Sequence, residues 1–389
     1  MSSVDIAEDS TNFVRTGPGT LAGRYLRRFW QPVYRAEDLA PGQMRPIQIM
    51  SEKFTLYRGE TGIPHVVAFR CAHRGTQLSM GWVEGDCVRC RYHGWKYEGS
   101  GQCVEQPGEE ESYAEKIHIR SYPTQEYLGL IFVYFGEGEP PPLRRYPGLD
   151  GPGVLEVYPP EDWPCNYFNR IDNACDVGHV TFTHRDSREA VDQHPEPPIL
   201  SADETESGIM TRVVRGGKLV ATLHFHMPNT NHFRTDLSLR DPKSGVSGGY
   251  LDRLLFRVPV DDESCVSFPL DFAHVTGDAA KEYRERRLQA RKATTDSHLA
   301  MGEAMLAGKL RMAEVKKQTN LKNLTSLEDY IVQVGQGKIA DRVNERLGRM
   351  DVGVILLRKI WERELQALAE GRPVKQWVIP ESFGDTALV

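Results

Sequence analysis

Long apolar runs are missing from this sequence. No stretch approaches the roughly 18 or more apolar residues that a membrane-spanning helix needs. The start, MSSVDIAEDSTNF, has neither the basic residues nor the apolar core of an export signal, so the cytoplasm is the expected location. No basic stripe is present: 48 Lys and Arg are mixed with 54 Asp and Glu for a net charge of −6, which argues against nucleic acid or membrane as partners. Cysteine is sparse and odd in number, seven in all, which argues against a disulfide framework. Internal repeats and low-complexity tracts are also absent.

What remains is an ordinary globular balance, 40% hydrophobic and 26% charged over 389 residues, enough for two or three domains. At about 20–32, LAGRYLRRFWQPV predicts a short amphipathic helix stopped by Pro32. From about 45 to 135 short strand-like runs such as FTLYRG, HVVAF and LGLIFVYF alternate with turns. The Gly- and Pro-rich segment GEGEPPP, Gly136–Pro142, reads as a linker. Beyond it come a helix over 165–185, strands over 208–275, and helices at about 280–316, 326–335 and 351–370, the last opened by Asp351 and closed by Gly371. The class is α+β: a lead-in over 1–44, an all-β unit over 45–142, and an antiparallel sheet flanked by helices over 143–389.

Three of the cysteines lie close together beside histidines. Cys71-Ala72-His73 and Cys90-Arg91-Tyr92-His93 both sit between predicted strands, so two loops can close on one cofactor. Two thiolates and two imidazoles are the donor set of a Rieske [2Fe–2S] cluster, cysteines on one iron and histidines on the other. A structural zinc site uses the same donors, and spacing alone leaves the two balanced. The flanks decide: Arg74-Gly75 and Gly94-Trp95 complete a pattern that resembles the Rieske CxHRG…CxxHGW. Cys87 makes CxxC with Cys90, but choosing it strands Cys71 or His93, so it reads as a free thiol. Trp95 and Tyr97 are expected to shield the cluster from water.

Further on, NRIDNACDVGHVTFTHR contains Asp176, His179 and His184 as D-x2-H-x4-H. On a helix Asp176 and His179 share a face, whereas His184 lies about 140° from His179. Both histidines reach one metal only if the helix loosens between them, where Val180, Thr181 and Thr183 are β-branched and poor helix formers. Two histidines and a carboxylate form the facial triad of mononuclear Fe(II) oxygenases. Taken alone, the same residues also fit two ordinary histidines at a capped helix end.

Cluster motif, linker and D-x2-H-x4-H, in that order, resemble the large subunit of the Rieske non-haem iron aromatic oxygenases. TGPGTLAGRYLRRFWQPV and GQGKIADRVNERLG…DVGVILLRK resemble their phthalate dioxygenase-type branch, which includes ring dihydroxylases and aromatic O-demethylases. The resemblance covers about 15–370 and is thinnest over 190–280. It implies an all-β Rieske domain followed by a helix-grip-like catalytic domain. Cys71, His73, Cys90 and His93 would then hold the cluster, and His179 and His184 the Fe(II). Asp176 matches the carboxylate that hydrogen-bonds an iron-bound histidine and a cluster histidine of the neighbouring subunit, which implies a homotrimer or a multiple of it. The third ligand falls in SLEDYIVQVGQG, on Asp329 with Glu328 as runner-up, although Ser326 to Asp329 also fits a helix-capping S-x-x-[DE]. Asp172 receives no role. His224, His226, Asn231 and His232 read as ordinary strand residues or as pocket lining.

The function so implied is a terminal oxygenase that uses O₂ to oxidise an aromatic compound, by O-demethylation or ring dihydroxylation. No G-x-G-x-x-G fingerprint follows a strand and no C-x4-C-x2-C motif occurs, so electrons must come from a separate NAD(P)H reductase, with or without a ferredoxin. Arg212, Arg215, Arg253 and Arg257 either pair with a carboxylated substrate or are solvated strand residues. The alternative is a Rieske electron carrier with no oxygenase activity, which would need only the first 140 or so residues.

Overall fold

The structure is a computed structural model that describes residues 13–187, 197–237, 249–292, 298–317 and 324–383. Its first helix, α1 (Leu21–Leu26), is capped by Thr20, whose hydroxyl accepts the Gly23 N–H at 3.1 Å. The helix expected to run to Pro32 stops at Leu26, because the next residues are drawn into a strand, β1 (Trp30–Arg35). Arg27 fixes the change of direction, donating to the carbonyls of Thr16, Gly23 and Met50. Pro32 is tolerated in β1 because that strand lies at a sheet edge, where a missing N–H costs least.

Strands β2 (Met44–Ile49), β3 (Glu52–Arg58) and β4 (Pro64–Ala68) form an antiparallel meander. Next, β5 (Trp82–Glu84), β6 (Cys87–Arg89), β7 (Lys96–Glu98) and β8 (Cys103–Glu105) make a small sheet of their own. β9 (Ser121–Tyr122) returns to β4, and β10 (Thr124–Tyr127) and β11 (Leu130–Tyr134) join β1 in the order β1-β11-β10. This is the all-β part; tight turns join β2 to β3 and β5 to β6, as antiparallel pairing allows, whereas longer loops join β4 to β5 and β8 to β9.

The second part opens with β12 (Val154–Val157), β13 (Glu161–Trp163), α2 (Tyr167–Cys175) and the single turn α3 (Val180–Thr183). β14 (Ile199–Glu204), β15 (Gly208–Arg215), β16 (Lys218–His226), β17 (Thr230–Asp236), β18 (Tyr250–Pro259) and β19 (Cys265–Ala273) complete an antiparallel sheet ordered β12-β19-β18-β17-β16-β15-β14, with β13 also paired to β19. Alternation along β18 sends Arg253, Leu255 and Arg257 to one face and Asp252, Leu254 and Phe256 to the other. The helices α4 (Gly277–Lys292), α5 (His298–Leu306), α6 (Met312–Val315), α7 (Leu324–Val334) and α8 (Val352–Ala369) follow. The helical text expected at about 280–316 is therefore three elements, and Gly308, at φ +71°, ends the middle one. Among the described residues no helix is long and apolar enough to cross a membrane.

α8 joins the two ends of the chain. Its Trp361 is fully buried, edge-on to Tyr25 of α1 at 5.1 Å and to Phe168 of α2 at 5.5 Å. Asp351 stands at the N-cap but does not cap α8; its carboxylate accepts the Gly348 N–H at 2.6 Å and closes the turn before the helix. The packing of α8 on α2 fixes the helix that leads into D-x2-H-x4-H.

Candidate metal centres

The two Cys-His loops are built alike. Cys71 N–H donates to Thr76 O and Gly75 N–H to Cys71 O, both at 2.9 Å; Cys90 N–H donates to Trp95 O at 2.9 Å and Gly94 N–H to Cys90 O at 3.0 Å. Each loop thus closes on the fourth residue after its cysteine, and that residue has φ of +72° or +74°, which is why glycine stands in both motifs. The thiols point inward. Cys71 is 4% exposed and Cys90 2%, and the two are hydrogen-bonded. Burial pushes the Cys90 thiol above its ordinary range, while the Tyr92 and His93 amides oppose the shift by bonding to the sulfur.

The histidines lie at the rim, His73 half-buried and His93 exposed, with ring centroids 4.4 Å apart. His73 Nδ1 is sealed from water and has no hydrogen-bond partner. Tyr97 OH lies 3.2 Å from Cys71 Sγ and also accepts the Ala72 N–H, and the Trp95 ring stacks on His73 at 4.7 Å. An orphaned imidazole nitrogen beside two inward thiols fits a [2Fe–2S] group held by cysteines within and histidines without. Cys87 lies across from Glu98 in the β6–β7 pairing, and burial holds its thiol above the ordinary range, in the neutral form.

In the second part α2 stops at Cys175, and Asp176 leaves helical geometry at φ −90°, ψ 87°. The break expected between the two histidines therefore falls before the first, and Asp176 and His179 do not share a helical face. Instead Asp176 caps the turn: its Oδ1 accepts the His179 N–H at 3.2 Å, and its carbonyl is hydrogen-bonded to His179 Nδ1. The backbone oxygen thus occupies Nδ1 and orients the ring, while the carboxylate Oδ2 stays 3.8 Å from Nδ1. Burial raises the Asp176 pKa above the usual carboxylate value, against the pull of His179.

α3 then carries the chain to His184. Asp329 Oδ1 lies 3.7 Å from His179 Nε2 and 3.6 Å from His184 Nε2. Among the described residues this is the only set of three metal-donor side chains whose ligand atoms lie within 4.8 Å of one another. Two imidazoles and a carboxylate gathered at this spacing suit Fe(II) with positions left open. Because α7 begins at Leu324, Asp329 is interior to the helix, which removes the capping explanation.

Glu328, the other candidate carboxylate, serves a different atom. It is 1% exposed and stands 3.2 Å from His184 Nδ1, accepting also the Asp186 N–H at 3.1 Å and the Ser187 hydroxyl at 2.6 Å. Three further groups escape the sequence reading. Gln333 Nε2 donates to Asp329 Oδ1 at 3.0 Å, Arg170 donates to Gln333 Oε1, and Asn173 Nδ2 is 3.3 Å from His179 Nε2. The four-residue spacing from Asp329 to Gln333 is a readable signal, since such pairs meet on a helix; the Arg170 contact, made from another helix, has none. Asp172 is held by Arg342 at 3.0 Å and Arg358 at 2.8 Å, a tie between α2 and α8.

Comparison with known proteins bears on these two centres. A Rieske [2Fe-2S] domain is matched over residues 29–123. The chain is 26% identical over 380 residues to the 5,5'-dehydrodivanillate O-demethylase oxygenase subunit of a Sphingobium species, covering 95% of this chain and 82% of that one. The chain carries a Rieske domain and is similar to Rieske non-haem iron oxygenases over nearly its whole length. This oxygenase is also 29% identical over 292 residues to the 3-chlorobenzoate-3,4-dioxygenase oxygenase subunit of Comamonas testosteroni, covering 71% of this chain and 65% of that one. In fold it matches the terminal oxygenase of carbazole 1,9a-dioxygenase from Novosphingobium sp. KA1, with a TM-score of 0.64, 19% identity, and 95% and 98% of the two chains covered. Its relatives include O-demethylase, monooxygenase and dioxygenase oxygenase subunits, and the oxygenase carries a [2Fe–2S] cluster and a mononuclear iron.

Proposed function

We propose that this oxygenase oxidises an aromatic carboxylic acid, by O-demethylation or ring dihydroxylation, with electrons from a separate NAD(P)H reductase working directly or through a ferredoxin in the cytoplasm. The observation that carries the reading is the approach of Asp329 Oδ1 to both histidine Nε2 atoms. The substrates named for three of the relatives, dehydrodivanillate, 3-chlorobenzoate and phenoxybenzoate, support the chemical class. A Rieske carrier with no chemistry of its own would not need this second centre.

In this reading Cys71, His73, Cys90 and His93 hold the cluster in a domain spanning 45–142, after the lead-in 1–44. His179, His184 and Asp329 hold Fe(II) in a catalytic domain spanning 143–389. When bound, the cluster stores an electron and the Fe(II) activates O₂. The chain's own work is positional. Asp176 O and Glu328 fix the two Nδ1 atoms, so that both Nε2 atoms face Asp329. The Asp176 carboxylate, 30% exposed, is free to accept from a rim histidine of a neighbouring subunit, which calls for a homotrimer or a multiple of it. The test is His179→Ala in protein whose iron–sulfur absorption is intact: turnover should vanish, and unchanged oxygenation would refute the reading. A panel of methoxybenzoates and phthalates, assayed for formaldehyde and for diol, separates the two reactions.

A further inference from the structure

On the iron side of the large sheet, two guanidinium groups are buried without a carboxylate beside them. Arg257 on β18 is 6% exposed and Arg170 on α2 is 2% exposed. Arg170 lies over the Trp163 ring, 3.4 Å from its centroid, and its other partner is the neutral Gln333. Arg257 donates to Ser267 Oγ at 2.7 Å. The Nε of each is sealed from water and has no acceptor. Burial first, and then the Arg170 cation, pull the Arg257 pKa down to about 9, while Glu161 and Asp329 draw it up from a distance. A buried cation is costly unless a counter-charge sits beside it.

Neighbouring arginines already have theirs. Arg253 holds Asp271 through two bonds of 2.5 and 2.6 Å, Arg234 holds Asp252, and Arg212 holds Asp203. The unmatched pair also lies close to the triad. Arg170 is one helical turn before Asn173, which touches His179, and the Gln333 it holds is one turn beyond Asp329.

We infer that Arg257, with Arg170 beside it, anchors the substrate's carboxylate, so that oxidation falls on the part of the ring away from that group. The inference rests on the oxygenase acting on aromatic acids. A planar guanidinium suits the task because it offers a carboxylate two parallel donors. Were it ionised, the buried thiol of Cys165 would be the competing counter-charge: its bond to Cys265 lowers its pKa first, burial opposes this, and Arg170 and Arg257 lower it further.

Titration calorimetry on the iron-loaded protein with 3- and 4-methoxybenzoate, beside the matching benzamides, tests the anchor. Acids should bind more tightly than amides, and Arg257→Gln should cut that preference about a hundredfold. Arg257→Lys, which keeps the charge but loses the fork, should cut it about tenfold and serves if the first variant fails to load iron. An acid preference unchanged in both variants overturns the anchor and leaves the aromatic-acid reading standing. A change seen only in the rate of Cys165 alkylation overturns it in favour of a thiolate partner. Wild-type protein that binds no aromatic acid overturns the anchor and the substrate class together.

Discussion

Glu328 uses both carboxylate oxygens on groups that surround His184: Oε2 meets the imidazole Nδ1 and the Ser187 hydroxyl, and Oε1 takes the Asp186 amide. Glu328→Gln replaces one of those acceptors with a donor, so the ring loses its fixed direction. Ferrous ion titrated into iron-depleted mononuclear sites should bind about 10- to 100-fold more weakly in this variant, with the cluster absorption unchanged. The neighbouring Asp329, one step round the helix, should behave differently: Asp329→Ala should remove the mononuclear iron outright, leaving two irons per chain by metal analysis. The sequence offers both carboxylates, and consecutive helical residues diverge by about 100°, so only one can face the two Nε2 atoms. Which one depends on the rotation of α7 against α2, and that is set by packing. Asp176 is a similar case: its spacing to His179 is legible, but the use of its carbonyl, rather than its carboxylate, on the ring is not.

At the level of elements, the end of α2 is held in place by the start of α8. Gly353 stands where an added Cβ would collide with the Cys175 carbonyl oxygen. Gly353→Ala should therefore push α2 away just ahead of Asp176, and reduced iron retention on a desalting column, at near-normal cluster content, is the expected result. Strand β16 should make stability fall with acid. Burial first, then His232 and Arg234, hold the His224 pKa at about 4, against 6.5 for a free histidine. The unfolded chain takes up this proton below pH 6.5 and the folded chain only near 4, so the stability is whole above 6.5 and is lost on the way down. His224 alone contributes about 3 kcal/mol to that loss. Urea unfolding midpoints should drop between pH 7 and pH 4.5, and less steeply in His224→Gln. Helix and strand types were mostly readable from periodicity; boundaries were not, since α1 stops where tertiary pairing draws the following residues into β1.

Across the whole molecule, the cluster loops were legible because their bonds run from a cysteine to residues four or five places on, within one short motif. The gathering of His179, His184 and Asp329 was only half legible, because the carboxylate arrives from a distant helix. If electrons cross between subunits through Asp176, a chain lacking its cluster ligands and a His179→Ala chain should restore activity when mixed in one assembly, which neither shows alone. Sedimentation should then give a multiple of three times 44.0 kDa. The separate origins of the ligands have a physiological side as well. If His179, His184 and Asp329 hold it, ferrous ion would act as a clasp between α7 and the stretch after α2, and a clasp stabilises only what it closes: at a thousandfold excess over its dissociation constant it would add about 4 kcal/mol. Under iron starvation, newly made chains would keep their β-sheets while α7 loosened first, and that helix is where a quality-control protease would find its grip.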